Sequence, residues 1–229
     1  MYPLTLPGSE QNILYASARI RMRVSGAPGA CAGVFFYQND HNESDIEILT
    51  RDDPSVIRYS NQPVLDDDGE PIPGASAAID LNNDSTIANL EKRDADAVRW
   101  DEWHTHRLDW VSGLSTWYID GVKIHEKTYG VPTVPSLFMM NMWGDGGQWT
   151  GEMEPEEEAR MEVEWVEMVF NVSGLDVGEL DGDKCCVLDA EEGDVAEGGY
   201  ELPSMAAAHP VKGMFIVAVV GIVVGMLVL

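Results

Sequence analysis

Positive charge is scarce in this chain. It carries 14 Lys and Arg against 40 Asp and Glu, a formal net charge of −26. A nucleic-acid partner is excluded by that balance, because phosphate binding requires a basic footprint. Cysteine is scarce too, at three. Cys31 stands alone and Cys185 and Cys186 are adjacent, so no spacing suits a zinc site. A disulfide from Cys31 to one of the pair, a lipid-modified cysteine and plain free thiols all stay open. Neither a G-x-S-x-G elbow nor a Walker or Rossmann signature occurs, which leaves no cofactor implied. Amphipathic helical periodicity is missing from the first 172 residues, so the fold must be built from strands.

Strand signals are plentiful. From Leu14 to Val24 apolar residues alternate with Tyr15, Ser17, Arg19, Arg21 and Arg23, the pattern of a half-buried strand. Ala32–Tyr37 is a short apolar run of the kind buried on both faces. Val56–Ser60, Trp103–Val111 and Leu137–Trp143 are further strands, and Met161–Trp165 closes the series near Asn171. Thr116–Ile119 and Val122–His125 flank Asp120-Gly121, the pair that supplies the positive φ angles of a tight type I′ hairpin. Residues 62–99 read mainly as loop, with Asp66-Asp67-Asp68-Gly69 a solvated turn lacking the ligand spacing of a calcium loop. Many short strands between Gly, Pro, Asn and Asp turns predict an all-β sandwich or jelly roll.

One of these strands carries a pattern that packing does not explain. In Glu43-Ser44-Asp45-Ile46-Glu47-Ile48-Leu49 acids alternate with apolar residues at period two, so Glu43, Asp45 and Glu47 share a face and Ile46 and Ile48 enter a core. Three carboxylates side by side repel one another and are poor strand formers. Paired carboxyls are the apparatus of glycoside hydrolysis, with retaining enzymes holding them roughly 5–5.5 Å apart. On a flat strand residues i and i+4 lie about 13 Å apart, so the two Glu side chains must lean together on a curved sheet. Asp45 between them is placed to hydrogen-bond the first and to separate their pKa values. A divalent-metal site on the three acids and a merely solvated strand face remain alternatives at this point.

Other residues carry weaker signals. His104 and His106 share a strand face, but no third ligand is evident, and packing is the simpler role. Seven Trp include Trp100, Trp103, Trp110, Trp143 and Trp149. Most Trp in a β domain are core, yet sugar rings stack on indoles. Trp143, beside the Gly-rich loop 144–147, is the foremost stacking candidate and Trp103 the next.

Taken together, Glu43-Ser44-Asp45-Ile46-Glu47 (an E-x-D-x-E signature), Trp103–Trp110, Trp117–Gly121 and Asn141-Met142-Trp143 resemble glycoside hydrolases of family 16, in order and spacing, over roughly Ile13 to Asn171. The resemblance implies a concanavalin A-like β-jelly roll with a glucan cleft on its concave sheet. It further implies retaining hydrolysis of β-1,3 or mixed β-1,3/1,4 glucans in cell-wall polysaccharide metabolism. By position Glu43 would be the nucleophile, Glu47 the acid/base and Asp45 the helper, with Arg21, Asn141 and Trp143 on the substrate and no metal; Trp103 is added to the substrate contacts as the second stacking candidate. A glucan-binding lectin without activity and a cell-wall transglycosylase are the alternatives. Family members carry strand material and a secretion signal ahead of the Leu14–Val24 strand, so the expectation is a longer natural N-terminus. The sequon at Asn42 overlaps the proposed nucleophile and is expected to be unmodified, with Asn42 turned away from the cleft.

After Ser173 the composition changes. Residues 173–204 are acidic and glycine-rich, the mark of a disordered linker. Residues 205–229 end in an uncharged apolar run from Gly213 to Leu229, expected as a hydrophobic helix. Seventeen helical residues span about 26 Å, slightly short of a bilayer core of about 30 Å. Ser204 and Ala206–Ala208 precede a short polar spacer and that run, which fits a GPI-attachment signal as well as a membrane anchor. The expectation is therefore three regions, a jelly roll over 1–172, a linker over 173–204 and an anchor over 205–229, at the cell surface.

Overall fold

The computed structural model describes residues 12–82, 98–173, 217–221 and 225–228. Its strands are β1 (Ile13–Gly26), β2 (Cys31–Asn39), β3 (Asn42–Leu49), β4 (Val56–Asn61), β5 (Ser76–Asp80), β6 (His104–Val111), β7 (Leu114–Ile119), β8 (Val122–Lys127), β9 (Leu137–Trp143), β10 (Ala159–Val172), β11 (Val217–Gly221) and β12 (Gly225–Val228). They form two antiparallel sheets, one ordered β5-β4-β3-β2-β9 and the other β11-β10-β1-β6-β7-β8, with β12 also on β10. The expected two-sheet, all-β sandwich is what folds.

Period-two alternation decides which face of each strand meets the other sheet. In β1 Ala16, Ala18, Ile20, Met22 and Val24 are buried, and in β3 Ile46 and Ile48 are. Aromatic rings bridge the two layers. Tyr59 of β4 stacks on Trp117 of β7 with centroids 5.3 Å apart, and Phe36 of β2 meets Trp110 of β6 at 5.2 Å. Such pairs add about 0.5–1.5 kcal/mol each beyond the area they bury. A polar bridge joins them where β3 passes β7: the Ser44 hydroxyl lies 2.7 Å from Asn61 Oδ1 and 3.1 Å from Ser115 Oγ. Asn61 in turn donates to the Tyr129 carbonyl at 2.8 Å. The acidic strand is thus fixed from behind by buried hydrogen bonds, which cost most when left half made.

Several turns follow from their residues. Asp120 and Gly121 both take positive φ, 47° and 77°, as the type I′ hairpin requires. Asp66 Oδ1 accepts from the amides of Asp68 and Glu70, so the acidic triplet is a self-capped turn. The alternation of β1 breaks at Tyr15, where φ is 70° beside a bulge.

The end of the chain departs from expectation. Of the hydrophobic helix expected within 205–229, the structure describes 217–221 and 225–228, and both are strands. β11 pairs with Phe170 to Val166 of β10 and β12 with Val163 to Arg160, so the two lie end to end along one edge. Val217, Val219, Val220 and Val228 are β-branched, and Gly221 and Gly225 disfavour a helix interior. Hydropathy alone does not distinguish the two states. Among the described residues no helix is long and apolar enough to cross a membrane. The expected linker and the cysteines Cys185 and Cys186 lie outside the described residues.

Candidate active site

The open face of the five-stranded sheet gathers the acids. Strand register places Glu47 opposite Gly33 of β2 and Arg58 of β4, and Gly33 opposite Asn141 of β9, so Asn141, Gly33, Glu47 and Arg58 form one row across the sheet. On one side lies the row Trp143, Cys31, Leu49; on the other lie Met139, Phe35, Asp45, Ser60 and then Leu137, Tyr37, Glu43. Five of the seven expected site residues, Glu43, Asp45, Glu47, Asn141 and Trp143, therefore share one face.

Arg21 and Trp103 do not join them. Arg21 belongs to β1 in the other sheet, on the strand face opposite buried Ile20 and Met22, and its Nε donates to Glu164 Oε2 at 2.6 Å. Trp103 leads into β6 of that same sheet, and the Arg23 guanidinium lies 5.0 Å from its ring centroid. Alternation correctly put Arg21 on a polar face, but that face belongs to the opposite side of the sandwich, and Trp103, expected as a stacking candidate, lies on that side too. His104 and His106 also resolve into packing. His104 Nδ1 lies 2.6 Å from Asp120 Oδ2, and buried His106 is pushed down to about 4, chiefly by burial and then by His104. Asn42, on the parity of Ser44, has its side-chain oxygen on the amide of Thr133 rather than in the cleft.

The three acids are electrostatically distinct. Asp45 is 3% exposed. Burial first, and then the charges of Glu43 and Glu47, raise it well above the carboxylate range, so it keeps its proton and shares a hydrogen bond with Glu43. Glu43 is pushed up to about 7, mainly by burial; the Asp45 hydrogen bond opposes that rise, while the Glu47 and Asp40 charges add to it. Glu47 is also raised by burial, but hydrogen bonds from Cys31 and Trp149 and the charge of Arg58 pull it back. Three carboxyls coupled this closely titrate as a set.

The surroundings of Glu47 are built from three directions. Arg58 donates through Nε and Nη2 to Asp52 Oδ2 at 3.0 and 2.8 Å, and its guanidinium lies 5.1 Å from the Trp149 ring centroid. Trp149 is delivered by the loop after β9. There Asp145 Oδ1 accepts from the Gly147 amide, the Thr150 amide and the Thr150 hydroxyl at 2.9, 3.0 and 2.6 Å. Those bonds hold Asp145 far below the ordinary carboxylate range. Gly33 gives the Asn141 amide room over β2, between Asn141 and Glu47 in the row, because a Cβ there would stand 2.6 Å from Asn141 Oδ1. Arg58, Asp52 and Trp149 were not foreseen as site residues. No spacing in the sequence marked them.

Cys31 is a free, buried thiol. Among the described residues no group of three or more His, Cys, Asp or Glu is arranged to hold a metal ion. What this sheet face offers is three neighbouring carboxyls, each raised by burial but differing in the hydrogen bonds and charges that oppose the rise.

No protein-family model matches the chain. Curated relatives do. A β-glucanase of Paenibacillus polymyxa is 26% identical over 172 residues, 71% of this chain and 63% of that protein. The chain is thus similar to β-glucanases over most of its described β domain. Solved structures are similar as well: a Crh5 transglycosylase in complex with NAG aligns with TM-score 0.52 and 18% identity over 70% of this chain and 65% of that one. The catalytic domain of an endo-1,3-β-glucanase (laminarinase) from Thermotoga petrophila gives 0.51 and 17% over the same shares, 70% and 65%. At such identities the structures speak for the fold. The chain spans 63% of the length of the Paenibacillus relative.

Proposed function

We propose that this chain is a retaining glycosidase acting on the O-glycosyl bonds of β-glucans, by double displacement at Glu43 and Glu47. The observation that carries this reading is the row of three unlike carboxyls on an open sheet face, with protonated Asp45 wedged against Glu43. Glu43, ionised, attacks the anomeric carbon while Glu47 gives its proton to the departing glycosidic oxygen. Glu47, now a carboxylate, then takes a proton from water, and that water releases the sugar from Glu43. Asp45 steadies the ionised nucleophile by donating to it. Asn141 and Trp143 flank the acids and serve as a polar contact and a stacking surface for the sugar. The relatives' name, β-glucanase, supports a glucan as substrate, and a neutral polymer suits a chain of net charge −26.

Transglycosylation is the second reading, favoured by the fold match to a transglycosylase. It uses the same intermediate, with a sugar hydroxyl in place of water. Incubating the full chain with laminarin and lichenan, with and without an acceptor oligosaccharide, separates the cases. New reducing ends mean hydrolysis and acceptor-extended products mean transfer. Glucan binding with neither product would overturn both in favour of a lectin.

For location, the acidic composition of 173–204 and the small residues before the terminal apolar run support a stalk ending in a GPI signal at the cell surface. Release of the expressed protein by a GPI-specific phospholipase tests this, and retention after treatment overturns it.

A further inference from the structure

The row Trp143, Cys31, Leu49 lies beside the row of Glu47, and it puts a thiol against the acid/base carboxyl. Cys31 Sγ lies 3.7 Å from Glu47 Oε1 and also 3.7 Å from the carbonyl oxygen of Ala32. At 0% exposure its hydrogen cannot go to water. One hydrogen therefore has two acceptors, and they differ in kind. The Ala32 carbonyl is always neutral. Glu47 is neutral when protonated and carries a full charge when ionised, and a charged acceptor makes the stronger bond.

We propose that Cys31 is a positioning residue for Glu47: its thiol donates to the carboxylate when Glu47 is ionised and turns to Ala32 when Glu47 is protonated. The inference rests on the assignment of Glu47 as acid/base above. It gives the thiol a definite role, because a donor that bonds only the ionised form offsets part of the burial that raises Glu47. A double displacement needs that carboxyl to pass between both states in every turnover. Cys31 itself stays protonated, since burial and then the adjacent Glu47 charge push it far up. It thus remains a donor across the working range, and a weak one, which moderates Glu47 without holding it permanently ionised.

Among the described residues the groups around Glu47 come from several strands and loops, so the thiol's share can be isolated. Asp45 and Glu43 come from its own strand, Cys31 and Gly33 from β2, Arg58 with its partner Asp52 from β4 and the turn before it, Asn141 from β9, and Trp149 from the loop beyond.

The test is carboxyl titration in the full chain with 13C-labelled Glu, the Glu47 signal being assigned by its loss in Glu47→Gln. Cys31→Val keeps a similar shape without a donor, and the Glu47 midpoint is expected to move to higher pH; Cys31→Ser keeps a donor and is expected to lie nearer wild type. Should Cys31→Val not fold, the S–H infrared band of the otherwise intact chain answers the same question. Wild type is expected to show a band lowered by hydrogen bonding that returns to the free position in Glu47→Ala. A Cys31→Val titration identical to wild type, or an S–H band indifferent to Glu47→Ala, overturns the proposal. Neither readout needs turnover. Absence of glucan cleavage would count against the catalytic assignment, whereas an unmoved titration in an active enzyme would count against Cys31 alone.

Discussion

Asp45 and Glu43 stand two residues apart on one face of β3 and share a hydrogen bond in which the buried Asp45 is the protonated partner. The bond favours the ionised form of Glu43. Asp45→Ala removes it, so the acid limb of kcat/KM is expected to move to higher pH, with a loss on the order of 10- to 100-fold at pH 6. Asp45→Asn retains a donor and should hold the limb near its wild-type position. Equal limbs in wild type and Asp45→Ala would separate Asp45 from the nucleophile.

Glu43 also makes stability depend on pH. Its folded pKa is raised from an ordinary 4.5 to about 7, so the folded state binds the proton more tightly than the unfolded chain. The stabilisation this gives is complete below about 4.5 and is lost as pH rises through 7. Glu43→Gln has no charge to bury, and urea unfolding should find it more stable than wild type by roughly 2 kcal/mol at pH 8. At pH 4 that gain should vanish. A gain of the same size at both pH values would mean that the group's charge is not the cause.

Gly33 is where the sheet makes room for Asn141. With a Cβ 2.6 Å from Asn141 Oδ1, Gly33→Ala must displace the amide from its place over β2. Because the displaced atom ends a flexible side chain, a destabilisation of no more than about 1 kcal/mol is expected, together with a fall in kcat/KM for glucan. Thermal unfolding and steady-state kinetics check the two parts. Full activity in a folded Gly33→Ala protein would remove Asn141 from the site.

Much of this was legible in the sequence, and the failures have a common cause. Alternation in Glu43–Leu49 identified which side chains share a face, because period two is intrinsic to a strand. The same alternation in β1 put Arg21 on a polar face, but a one-dimensional pattern does not say on which side of a sandwich that face lies. Arg58 and Trp149 were missed because they reach Glu47 through cross-strand register and through a loop shaped by Asp145, neither of which leaves a spacing signal. The terminal apolar run was read as a helix, since its lack of charge fits either state; only the β-branched valines favour a strand, while the glycines disfavour a helix interior.

Arg21 and Trp103 provide the complementary check. Both lie on the second sheet, where Arg21 pairs with Glu164 and Trp103 lies under Arg23. Arg21→Ala and Trp103→Ala are expected to leave kcat/KM for glucan at the wild-type value. Loss of the exposed Arg21–Glu164 pair should cost less than about 1 kcal/mol. A large rise in KM with either variant would bring that face into substrate binding after all.

The central claim is that Glu43 and Glu47 together perform the chemistry, and its most direct measurement is reducing-end release from laminarin and lichenan by the full chain beside Glu43→Gln and Glu47→Gln. Both substitutions keep the side-chain shape and remove the ionisable group. Turnover by wild type, with a loss on the order of 10²–10⁴ in each variant, is the expected result. Turnover undiminished in either folded variant would contradict the claim.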